Sequence, residues 1–111
     1  MSVGPDPWEA AKERGIEFRA LGQEPGWYLE IDDGTSMRLV YDYAEREAIT
    51  PVPDPTVEGG TTTYDAKTEA HHLRVVIEER PCSDVMSGQR FPRTVTVSID
   101  GRTLMGCGQE L

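Results

Sequence analysis

Few side chains in this 111-residue chain could do chemistry. Ser83-Asp84 or Ser87 could join a histidine as a hydrolytic constellation, in which a base activates a hydroxyl nucleophile. Neither serine stands in the glycine frame of a nucleophile elbow, and no oxyanion-loop motif accompanies them. The expected role is capping: Ser83 or Asp84 closes a helical turn near 83–88 that ends at Gly88, with Met86 facing the core. His71 and His72 are adjacent, so on a strand they point to opposite faces and cannot both hold one metal ion. Solvent-facing or strand-end positions are expected for both. Asp32-Asp33 and Glu78-Glu79 read as solvated carboxylates on turns or strands, and Asp42, Glu45 and Glu47 lack calcium-loop spacing. No catalytic residue, cofactor-binding residue or metal ligand is assigned, and no cofactor is expected.

Cys82 and Cys107 stand 25 positions apart, outside any Cys-x-x-Cys pair, which disfavours a thioredoxin-like or zinc site. Two cysteines allow one intramolecular bridge. If made, it would stabilise the fold by about 3–4 kcal/mol on the loop-entropy relation and would imply an oxidising compartment. The Met-Ser-Val-Gly-Pro start shows neither a signal peptide nor a lipid-attachment cysteine. That leaves a cytosolic protein or the mature part of a longer precursor behind a new Met.

Composition bounds the rest. The length suits one domain, divided as an extension with a short helix over 1–15 and a β-domain over 16–111. No apolar run approaches the roughly 18 residues a membrane-crossing helix needs, so the membrane is reached only through a lipid anchor this chain does not contain. The net charge of −9 disfavours nucleic acid, whose phosphates select basic surfaces. It permits a basic protein partner, although solubility is the simpler reading.

The elements that must position these residues are short. Asp6-Pro7-Trp8-Glu9 is a helix start, with Asp6 as cap and Pro7 in the first turn, and Gly15 is a stop. The resulting helix over 7–14 is too short to stand alone and is expected as a lid or end-plug on a sheet. Alternation then predicts strands over Ile16–Leu21, Trp27–Asp32, Ser36–Tyr43, and more weakly Glu47–Val52. Asp33-Gly34 is a hairpin turn. Three prolines and Gly59-Gly60 forbid a central strand over 51–60. Thr61–Tyr64, a turn near Asp65–Glu69, His71–Glu79, Thr94–Ile99 and Arg102–Cys107 follow, the last two joined by a tight Asp100-Gly101 turn. The expectation is a mainly β protein: a small antiparallel barrel or closed meander of about eight short strands, closed because an open sheet would leave two edges. Trp27 is expected to plug one barrel end, with Arg93 or Arg102 over its face.

Three segments together resemble a known family: Phe18-Arg-Ala-Leu-Gly-Gln-Glu-Pro-Gly-Trp27, Pro81-Cys-Ser-Asp-Val-Met-Ser-Gly-Gln-Arg-Phe-Pro92 and Leu104-Met-Gly-Cys107. The family comprises small bacterial envelope proteins, described as lipoproteins of unknown function and as related to META-domain heat-shock proteins. The likeness covers most of residues 16–108. The chain departs from it at Gly26, where an aromatic is usual, and in the Pro-rich 51–60 insertion. The resemblance implies a periplasmic or outer-membrane-anchored location and a Cys82–Cys107 disulfide, and no catalytic residues. Ser87-Gly88-Gln89-Arg90-Phe91 is also similar to a Ser-Gly-x-x-Tyr element of periplasmic lysozyme inhibitors, with Phe91 in the aromatic place.

These readings give a monomeric, non-catalytic envelope domain that binds another envelope component. Ser83, Asp84, Ser87, Gln89 and Arg90 are the candidate contact residues. A lysozyme-inhibitor-like binder is one alternative. A small-ligand carrier is another, which a continuous apolar pocket above about 300 Å³ would favour over the expected filled core.

Overall fold

A computed structural model of the chain describes residues 6–23 and 25–111. One helix, α1 (Pro7–Glu13), precedes strands β1 (Phe18–Gly22), β2 (Trp27–Asp32), β3 (Ser36–Tyr41) and β4 (Arg46–Thr50). Then come β5 (Thr56–Glu58), β6 (Thr61–Lys67), β7 (His72–Glu78), β8 (Cys82–Ser83), β9 (Arg90–Phe91), β10 (Arg93–Ile99) and β11 (Arg102–Glu110). Among the described residues eleven strands replace the eight expected, because the Pro-rich segment contributes a short edge strand and residues 82–91 form a separate two-stranded ribbon.

Nine strands form one antiparallel sheet in the order β4-β3-β2-β1-β11-β10-β7-β6-β5. Strands β1–β4 make one meander and β5–β7 another. The C-terminal hairpin lies between them, with β11 on β1 and β10 on β7. Side-chain alternation puts the apolar set on one face. Leu29, Met37, Leu39, Leu73, Val75, Val95, Val97 and Ile99 lie there with essentially no exposure. One sheet with one apolar face must curl to remove that face from water, and this sheet curls into a half-barrel.

The half-barrel does not close, contrary to the expected barrel. Its edges are β4 and β5, consecutive in the chain but not paired. Pro51, Pro53 and Pro55 lie between them. Alternate residues of an extended chain aim their N–H groups to the same side, so prolines at these three positions strip one side of donors. Val52, between the first two, packs against the core from this seam.

The turns follow their chemistry. Asp100 and Gly101 both take positive φ, 48° and 88°, as a two-residue turn matching strand twist requires. Gly34 (φ 81°) completes a three-residue loop after β2. The turn expected at Asp65–Glu69 falls later, because β6 runs on to Lys67 with Ala66 buried opposite Leu73.

The Asp6 carboxylate accepts from the Trp8 N–H at 2.8 Å and caps α1. The helix is no end-plug; it lies on the outer face of the sheet. Trp8 stacks on Phe91 with ring centroids 5.2 Å apart, and the Arg19 guanidinium sits 4.9 Å from the ring centres of both Trp8 and Tyr28. Arg14 donates twice to Glu30 at 3.0 Å, and Arg19 donates to the same carboxylate at 3.1 Å. Arg19 and Glu30 alternate with core residues, yet both are buried, because this helix covers them.

Candidate functional site

The β8–β9 ribbon stands outside the sheet, pairing Cys82 with Phe91 and Ser83 with Arg90. Two anchors hold it. The Cys82–Cys107 disulfide ties its base to β11, and the buried Phe91 ring rests against Trp8. The bridge is compatible with an extracytoplasmic location.

Residues 84–89 form one hydrogen-bonded turn above that base. The Asp84 carboxylate accepts from the Ser87 N–H at 2.9 Å and the Ser87 hydroxyl at 2.8 Å. The Gly88 N–H donates to the Asp84 carbonyl and the Asp84 N–H to the Gln89 carbonyl, both at 2.8 Å. Gly88 closes the turn at φ 72°. Burial alone would raise the Asp84 pKa; hydrogen bonds from the Ser87 backbone and hydroxyl, Gln23 and the Met86 backbone outweigh it and hold the carboxyl below its ordinary value. Asp84 is thus the cap, and Ser83 is not.

Of the five candidate contact residues, Ser83, Ser87, Gln89 and Arg90 are exposed on this element and Asp84 is buried beneath it. The Ser87 hydroxyl donates to Asp84 and accepts from the Gln89 N–H at 3.1 Å, so it closes the turn from inside. The expected inward placement of Met86 is wrong. Met86 is 70% exposed and Val85 83%, because a single turn standing off the sheet has no core within reach. Met105, 64% exposed on β11, adds a third apolar side chain nearby. A cleft of about 250 Å³ runs between this turn and β11, bounded by Val85, Met105, Gly106, Thr94 and the disulfide.

Trp27 is buried at the start of β2, its indole N–H donating to the Met105 carbonyl at 3.3 Å. A Cβ on Gly22 would lie 2.1 Å from the indole nitrogen, so a glycine is required there. The arginine expected over Trp27 is elsewhere. Arg102 lies 5.6 Å from the Tyr41 ring centre and clamps Asp42 at 2.8 and 2.9 Å, while Arg93 pairs with Glu110.

His71 and His72 each face a carboxylate: Nδ1 of His71 is 2.8 Å from Asp100, and Nε2 of His72 is 2.6 Å from Asp65. The two rings reach different partners, His72 from the first residue of β7 and His71 from just before it. Among the described residues, no group of three or more His, Cys, Asp or Glu side chains could hold a metal ion.

The concave interior is filled by side chains, and the open hollows lie at its margins. One of about 270 Å³ opens at the barrel mouth, between Phe18, Ile31 and Ile77 below and Glu17, Asp33, Glu79 and Glu110 at the rim. Another, of about 320 Å³, lies outside between Tyr28, Val40 and Tyr43 but includes Arg19 and Gln23, so it is not a continuous apolar pocket. Sequence reasoning missed the turn beneath it. Asp42, Tyr43 and Ala44 are three successive non-glycine residues at positive φ (53°, 55° and 70°), held by Asp42 bonded to Arg102. No residue type there announces that conformation.

No family model matches the chain, and neither a curated protein nor a solved structure matches it.

Proposed function

We propose that this is a non-catalytic binding domain of the bacterial cell envelope, which presents the Asp84–Gln89 turn to a protein partner. One observation carries the reading: Val85 and Met86 stand almost fully in water at the apex of a turn whose backbone is already fixed. A lone exposed aliphatic is ordinary, but two adjacent ones on a preorganised projection suit an interface anchor. The hydrogen bonds of Asp84 and the disulfide lower the ordering cost of binding, which is where such a projection gains affinity. Arg90 at the base of the turn makes no ion pair among the described residues and would supply a polar rim. The disulfide supports the envelope location, and a monomer remains the assembly proposed.

The lysozyme-inhibitor variant is weaker than the general one. The Ser87 hydroxyl is committed to Asp84, and Phe91 is buried against the helix instead of projecting.

The test compares the disulfide-intact chain with Val85→Asp and Met86→Asp on immobilised supports exposed to envelope extract. A protein retained by the wild type and lost from both variants, whose thermal stability is unchanged, supports the assignment. Equal retention by all three sinks it. A parallel assay with lysozyme at low and physiological salt decides the inhibitor variant: no inhibition at micromolar concentration removes it.

A further inference from the structure

The strands β1, β2, β6, β7, β10 and β11 all end or begin at one mouth of the half-barrel, around the 270 Å³ hollow. Its floor is apolar. Phe18, Ile31 and Ile77 are at least nine-tenths buried, and the half-buried Tyr64 forms a wall. Its rim is anionic. Glu17, Asp33, Glu79 and Glu110 surround it, and Arg93, the one cation lining it among the described residues, is paired with Glu110. Glu17, Asp33 and Glu79 make no ion pair among the described residues.

The placement of Glu17 and Asp33 is the telling feature. They come from the lead-in to β1 and the turn after β2, and both line the rim of the same hollow above Phe18 and Ile31. Partial desolvation and the Asp33 charge raise the Glu17 pKa, the response of an acid lacking a counter-cation. Burial and then Asp33, Glu17 and Glu110 raise Tyr64 in the same way, which keeps its hydroxyl protonated as a donor. A hydrated metal ion would have no use for the apolar floor, and a neutral apolar ligand none for the rim. A flat or slender organic cation uses both.

We infer that the mouth of the half-barrel binds a small organic monocation, its amidinium or ammonium head between Glu17 and Asp33 and its apolar body over Phe18, Ile31 and Ile77. The site is independent of the Asp84–Gln89 turn.

Benzamidine is a suitable probe, and benzamide its neutral counterpart of nearly equal shape. Titration of the isotope-labelled, disulfide-intact chain should move the amide signals of Phe18, Ile31 and Ile77 saturably with benzamidine. Benzamide should bind at least about fivefold more weakly, and Glu17→Gln with Asp33→Asn should weaken benzamidine by a similar factor, as the loss of two exposed charge contacts implies. Both positions are exposed, so the double variant keeps its fold, which an unchanged near-ultraviolet dichroism spectrum checks. Equal binding of the two probes, or no saturable shift in tens of millimolar benzamidine, overturns the inference. Displacement of benzamidine by millimolar calcium at constant ionic strength also overturns it, by making the mouth a divalent-cation site.

Discussion

Breaking the tie between Cys82 and Cys107 gives the most quantitative expectation. The bridge closes a loop 25 residues apart in sequence. Loop-closure entropy for that span is worth about 3.5 kcal/mol at 25 °C. A chain of this length gains roughly 0.23 kcal/mol per kelvin of unfolding entropy, so the melting midpoint should fall by about 15 °C. The cleanest comparison is oxidised against dithiothreitol-reduced wild type, which retains both sulfur atoms. A Cys82→Ala, Cys107→Ala double variant checks it without reductant and adds the small packing loss at buried Cys107. Calorimetry gives the midpoint, and urea titration gives the free energy. Hydrogen exchange should show a second effect: with the tie gone, amides over Ser83–Arg90 lose protection first, since the ribbon then loses its covalent link to β11 and keeps only non-covalent contacts such as Phe91 on Trp8. A loss below about 1 kcal/mol would refute the reasoning, because it would mean that the unfolded chain already keeps these segments together.

Two further perturbations probe the frame. Gly106→Ala would place a Cβ 1.9 Å from the Leu21 carbonyl oxygen and 2.9 Å from the Gly22 Cα, both backbone atoms, so urea unfolding should show a cost of about 3 kcal/mol or more. Glu30→Ala strands the buried Arg19 guanidinium and should also cost about 3 kcal/mol. The wild type should lose stability as acid is added. Burial pushes Glu30 up, but hydrogen bonds from Arg14 and Arg19 overcome it, so like Asp84 its carboxyl sits below the ordinary value. The stabilisation from both is complete above the unfolded carboxylate pKa of about 4 and is lost as pH falls through the lower folded values. Glu30→Ala should flatten that acid limb of the stability profile.

Alternation made the core legible. Trp27, Leu29 and Ile31, Leu73, Val75 and Ile77, and Val95, Val97 and Ile99 are all inward, because a half-buried strand has only one way to place every second apolar side chain. The helix cap at Asp6 and the turn at Asp100-Gly101 were equally readable from local chemistry. Closure was not, since it depends on which strands become edges. The prolines at 51, 53 and 55 showed that the segment was no central strand, but not that the sheet would end on both sides of it. The turn at 84–89 was located and its cap chemistry foreseen. Met86 was misplaced because an apolar residue in a short turn points to the core only if the turn lies on it. The mouth hollow escaped entirely: Glu17, Asp33, Glu79 and Glu110 are scattered in sequence, and only the pairing of β11 with β1 and β10 brings their strand ends together.

The strand order also governs when this molecule can fold. Among the described residues the two meanders share no strand pairing except through β10 and β11, which follow both meanders in sequence. Until Glu110 has been added, β1 lacks its β11 partner and the two halves of the core have nothing to join them. A growing chain therefore stays open until β10 and β11 have both emerged, as expected where long-range pairings must form late.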